Sequence, residues 1–172
     1  MKNLYFIVCA LLILSCTEEP KTNFEIPALL ERSKKMQYFN EWSAVRSTYA
    51  DLKHALTKKT NHVDALINLT NLFIAEARIT GEHGHYYPAA LNTIEYALQQ
   101  KNISKDQKFL ALSAKASVQL SLHHFKDALK TAETAQLQNP YNASIYGALI
   151  DAHVELGDYK NAVSLADKMV SM

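Results

Sequence analysis

The sequence predicts an all-α protein built from repeated helix pairs, about eight helices in total, and three observations lead there. Beyond residue 27, apolar residues recur at helical spacing and no stretch alternates as a half-buried strand does. A set of small and aromatic residues returns after 34 positions. The composition, 48% hydrophobic and 20% charged with 4 Gly and 4 Pro in 172 residues, belongs to a folded chain rather than a disordered or collagenous one. Lys+Arg number 18 against 17 Asp+Glu, a formal charge of +1, so the concentrated basic face of a nucleic-acid binder is excluded.

The first element reads as an export signal. Lys2 gives a short positive start, and Leu4 to Leu14 form an apolar run far short of the roughly 20 residues a spanning helix needs. Ile13-Leu14-Ser15-Cys16 resembles a bacterial lipobox, with an aliphatic residue, a small residue and the acceptor cysteine in order. That resemblance implies cleavage of residues 1–15, a diacylglycerol thioether on Cys16 and palmitate-type acylation of its new amine. Each buried CH₂ adds about 0.8 kcal/mol, so several chains make a permanent anchor. Thr17 is not the Asp that retains many lipoproteins on the inner membrane. Thr17-Glu18-Glu19 resembles the acidic export stretch of Bacteroidota lipoproteins, which implies the outer membrane, on its periplasmic or surface face. Residues 16–26 then serve as lipidated cysteine and tether. Cys9 leaves with the signal and Cys16 is acylated, so disulfides and cysteine-based metal or catalytic sites are excluded. Loss of Lys2 brings the mature charge near zero, and the lipid alone must hold the membrane.

Residues 27–172 divide into four units. In 29–62, a degenerate repeat, Phe39, Leu52 and Ala55 fit the pattern, but Asn40 to Ala44 lack a turn glycine. Trp42 lies near the start of a long helix and is expected to pack rather than bind. In 63–108, a repeat with an insertion, Leu66, Leu69, Leu72 and Phe73 share a stripe over 63–80, and Gly81 is placed to cap it. Its partner helix is expected to begin at Pro88, a favoured first position, and carries Ala90, Ile94 and Ala97. Ser104-Lys105-Asp106-Gln107 has the form of a capping box, so the next helix starts there.

The last two units, 109–142 and 143–172, stand in register. Phe125 matches Tyr159, Ala128 matches Ala162, Ala132 matches Ala166 and Leu112 matches Tyr146, while Asn139-Pro140 closes the first of them. Glu155-Leu156-Gly157-Asp158-Tyr159-Lys160-Asn161-Ala162-Val163 reads as helix end, turn and helix start, and resembles the tetratricopeptide repeat (TPR). The resemblance assigns Gly157 to the turn, Tyr159 to the aromatic position after it and Ala162 to the close helix crossing. His123 occupies the place of Gly157 one repeat earlier and departs from the pattern. The implied architecture is a short right-handed TPR-type α-solenoid, an α-α superhelix with two helices per repeat.

Three regions are candidates for function. The loop 81–87 carries His83 and His85 beside Glu82, and the neighbouring turn carries His123 and His124. Four imidazoles on adjacent turns would suit Zn²⁺ or Cu²⁺; the alternative is that they are solvated and that Tyr86 and Tyr87 pack over helix ends. By repeat register, the inward face of the first helices presents Asn68, Asn71, Ser113, Ser117, Ser121, Asp151 and Glu155. No basic residue stands at those positions, which excludes the carboxylate clamp of some TPR domains and favours a neutral or mildly basic peptide. Third, the sequence stops at Met172 within a helix, so Val163, Ala166, Met169 and Val170 are expected to form an open apolar strip suited to a homodimer or a capping partner.

No phosphate loop, H-E-x-x-H or nucleophile elbow is present, so no enzyme and no cofactor are expected. The sequence reading is therefore a lipid-anchored envelope adaptor, scaffold or assembly factor. Its competitors are a histidine-based metal-binding protein and a non-catalytic subunit of an envelope enzyme.

Overall fold

A computed structural model describes residues 24–172. The signal segment, Cys16 and most of the tether lie outside the described residues. Within them the chain is all-helical: α1 (Phe39–Lys58), α2 (Val63–Thr80), α3 (His83–Leu98), α4 (Lys105–Ser121), α5 (Phe125–Gln138), α6 (Ala143–Glu155) and α7 (Tyr159–Val170). Each helix packs on its successor, and the even helices α2, α4 and α6 also touch in series. No described helix is long and apolar enough to cross a membrane.

Two apolar clusters hold the array together. The first centres on Leu66, Leu69 and Phe73 of α2 with Tyr86, Ala90 and Ile94 of α3, and reaches Ala111, Ala114 and Val118 of α4. The second gathers Phe109, Leu112 and Ala116 of α4, Ala132 and Ala135 of α5, and Ile145, Tyr146 and Leu149 of α6. Ala128, Ala132, Ala135 and Ala162 are all buried, as close helix crossings require.

The 34-residue period is written into the backbone. The α4–α5 turn bonds Leu122 N to Val118 O, His123 N to Leu120 O and His124 N to Gln119 O; the α6–α7 turn bonds Leu156 N to Ala152 O, Gly157 N to Val154 O and Asp158 N to His153 O. Every donor and acceptor moves by the same 34 positions. The pivot residue is left-handed in both, His123 at φ 60° and Gly157 at φ 78°, as is Gly81 at φ 77° between α2 and α3. His123 is the one non-glycine residue with positive φ among the described residues. Ser104 caps α4 as expected, with its side chain taking the Gln107 amide and Gln107 answering to the Ser104 amide.

Two expectations are corrected. Seven α-helices form instead of eight, because residues 24–38 make an extended strap with a single 3-10 turn, Lys34–Met36. Tertiary contacts override helix propensity there. Phe24, Ile26, Leu29 and Leu30 all reach the first core, so the folded chain already begins within the expected tether. The turn after α1 explains what became of the degenerate unit. Its bonds Lys59 N to Ala55 O and His62 N to Lys59 O match Asn139 N to Ala135 O and Asn142 N to Asn139 O after α5. Thus α1 takes the place of a second helix, and the strap stands where a first helix was expected.

The other correction concerns α3, which starts at His83 and carries Pro88 inside it. A proline in the second turn forfeits a backbone bond. Burial of Tyr86 and Tyr87, at 0% and 4% exposure, pins the first turn to the core and outweighs that loss. The expected loop 81–87 shrinks to the residues around Gly81 and Glu82.

Candidate functional site

The even helices share one exposed polar face. On α2 it is the stripe Asp64, Asn68, Asn71 and Arg78, whose opposite side is buried in the first core. Two hydrogen bonds tie it to α4: Gln107 Nε2 donates to Asp64 Oδ1 at 2.7 Å, and Arg78 Nη2 donates to Ser117 Oγ at 3.1 Å. Contacts near both ends of α2 fix the two helices as parallel neighbours. Arg78 thereby brings a guanidinium to a face that the sequence reading held to be free of basic residues. It was legible, since Asn71 and Arg78 are seven residues apart and share a helix face.

All three serines are half-buried, and Ser113 and Ser121 are anchored on their own helix. Ser113 Oγ donates to Phe109 O at 2.8 Å and Ser121 Oγ donates to Ser117 O at 3.0 Å. Their hydroxyl protons are committed, and what remains for a ligand is acceptor capacity. Asp151 and Glu155 on α6 are exposed. With Ser121, His123 and Val154 they line a hollow of about 300 Å³ at one edge of the face. At the opposite edge lies a larger polar hollow of about 690 Å³, lined among others by Lys59, Asn61, His62, Asp64, Gln99 and Gln107. Nothing in the spacing of residues 59–64 and 99–107 disclosed it, because it is made by two segments 35 residues apart in the chain.

The histidines go elsewhere. His85 Nε2 donates to Ala28 O at 2.8 Å, so this ring fastens the strap. His83 stacks on Tyr87 at 5.0 Å between centroids, and His123 meets Phe125 edge-on at 5.4 Å. His123 and His124 border another hollow with Phe125 and Leu156, which adjoins the Asp151/Glu155 hollow at His123. Among the described residues no three His, Cys, Asp or Glu side chains converge as a metal site requires, so the four histidines do not form one cluster.

A buried ionic node escaped sequence reading altogether. Arg32, 4% exposed, forks onto Glu76 of α2 through Nε at 2.8 Å and Nη2 at 2.6 Å. Glu41 of α1 receives Nη1 at 2.7 Å and Nη2 at 3.0 Å, and the guanidinium carbon lies 4.9 Å above the Trp42 ring. Glu76 holds the Arg32 pKa above its ordinary range, against the opposing effect of burial. Trp42 is buried and donates to Glu31 Oε1 at 3.2 Å, so it packs as expected. The node builds the scaffold and faces no hollow of the even-helix face. On α7, Asn161 holds the Asp158 carboxyl below the usual carboxylate range, which strengthens it as the N-cap.

Comparison with protein-family models finds none that matches the chain, and comparison with curated proteins finds no significant match.

Proposed function

We propose that this chain is an envelope lipoprotein whose TPR-type right-handed solenoid holds a partner protein through the polar face of α2, α4 and α6. The single observation that carries this reading is that face itself, joined between α2 and α4 by the Asp64–Gln107 and Arg78–Ser117 bonds and carried on to α6 by the packing of α4 against α6. Serial contact of alternate helices and left-handed pivots at Gly81, His123 and Gly157 support the solenoid part of the proposal. Asn68, Asn71, Ser113, Ser117 and Ser121 offer amides and acceptor oxygens to an extended main chain. Arg78 and the Asp151/Glu155 pair set opposite charges at different places on it, which gives a bound segment its direction. A basic side chain belongs beside Asp151 and Glu155. Because packed helices fix the groups in advance, binding orders little of the scaffold. Lipid on Cys16 would confine the molecule to the membrane and raise the effective concentration of membrane-borne partners.

The test is a pull-down from detergent-solubilised envelopes with the lipidated chain and an Asp151→Lys/Glu155→Lys variant. A partner recovered reproducibly with the parent chain and lost with the variant is expected. Recovery of nothing, or of the same proteins with both, overturns the reading. For the anchor, Cys16→Ala should abolish lipid labelling, and undiminished labelling would remove that part.

A further inference from the structure

The outer stripe of α7 has a pattern that does not belong to the peptide face. Tyr159, Val163, Ala166 and Val170 follow one another at four, three and four residues, and Tyr159, Val163 and Val170 are 65%, 62% and 84% exposed. Thirty-four residues earlier the same positions are Phe125, Leu129, Ala132 and Gln136 of α5. There α6 lies against the helix, Ala132 is fully buried and Leu129 packs into the second core. The stripe on α7 is thus shaped to receive a helix, and no described helix covers it. Met169, expected in the open strip, instead turns inward to the second core together with Leu165.

The charges beside the stripe identify the helix. Lys160 and Asp167 border it on the same solvent-facing side, one towards each end, and neither forms an ion pair among the described residues. We propose that the occupant is α7 of a second copy of this chain, packed antiparallel across a two-fold axis. The spacing is the same read in either direction, so antiparallel pairing sets Tyr159 against Val170 of the second copy, and Val163 against Ala166, large against small. It also sets Lys160 beside Asp167 twice over. Parallel pairing about a two-fold axis along the helices would put the two copies of these charges on opposite sides of the interface and form neither ion pair. The interface is isologous and closes on itself, giving a dimer and no longer chain of subunits. It leaves the face of α2, α4 and α6 outside the contact, so it stands or falls independently of peptide binding.

Sedimentation equilibrium of the full chain in mild detergent with reductant tests it, alongside Lys160→Glu, Asp167→Lys and the double exchange. All three changes are on exposed positions, and unchanged far-UV circular dichroism checks that each variant folds. The parent chain is expected to dimerise at micromolar concentration. Each single reversal should weaken the dimer by about tenfold or more, and the double exchange should restore it to within about threefold. A parent chain that stays monomeric at about 100 µM overturns the proposal. So does a dimer indifferent to the single reversals, or one that the double exchange fails to restore.

Discussion

Arg32 and Glu76 are the pair whose loss the molecule tolerates least. Both side chains are 1% exposed, whereas Glu41 on the other side of the fork is 49% exposed. Removing one member of a buried pair strands the other, at about 3–5 kcal/mol, while a half-exposed pair is worth about 1 kcal/mol or less. Glu76→Ala should therefore lower urea-unfolding stability several times more than Glu41→Ala, and equal losses would refute this account. Tyr86 gives a second test at this scale. Its hydroxyl accepts from Leu30 N at 3.1 Å, and burial raises its pKa above the ordinary phenol value. A raised folded-state pKa means that the contribution is complete below about pH 10 and is lost as the pH climbs through the raised value. Tyr86→Phe should cost about 1 kcal/mol near neutrality and flatten the alkaline limb of stability against pH. Neither residue's role could be read from sequence, since an arginine and a glutamate 44 positions apart look like any two solvated charges. Only the fold makes them meet.

What the elements show depends on whether a signal is local. The Ser104 capping box, the Gly157 turn and the buried alanines of α5 and α7 were legible because each is decided within a few residues. Ser104→Ala should cost about 1 kcal/mol, and a Gln107→Ala change combined with it should add less than it does alone. The α4–α5 turn was legible too, as a glycine position occupied by histidine. A left-handed non-glycine costs about 1–2 kcal/mol, of which glycine returns about 0.5–1 through its greater freedom when unfolded. His123→Gly should therefore stabilise by less than about 1 kcal/mol, and His123→Val should destabilise; thermal unfolding of both decides it. The strap and the start of α3 were not legible. Leu29, Leu30 and Met36 carry a plausible helical spacing, and Pro88 a plausible helix start. In both cases distant partners, Glu76 for the one and the core around Tyr86 and Tyr87 for the other, overrule the local preference. On the polar face, periodicity found the serines and carboxylates, but it overlooked Arg78 and the hollow built by two remote turns.

At the scale of the whole molecule, stability is graded along the array. Ten residues of α2 are buried against one, Ala162, in α7, and a stack in which neighbours support one another opens most readily where burial is thinnest. Amide exchange measured in dilute solution should be slowest in α2 and fastest in α7, with α4 near the slow end because it contributes to both cores. Uniform protection from α2 to α7 would show a single cooperative unit instead. The strap adds a mechanical consequence. Phe24 stacks on Tyr96 at 4.6 Å, Tyr49 holds Pro27 O at 2.8 Å and the Arg32 fork grips Glu76, so the strap is fastened at successive points along its length. Tension arriving ahead of Phe24 meets these fastenings before it meets any helix. The Arg32–Glu76 latch closes a loop of 44 residues that contains all of α1, so load passes into α2 through Glu76 as well as into α1 through Tyr49 and Glu41. In the proposed lipid-anchored form, a longer or shorter segment between Cys16 and Phe24 would accordingly alter how far the array can stand from the membrane, while pull on it is taken up first at the strap.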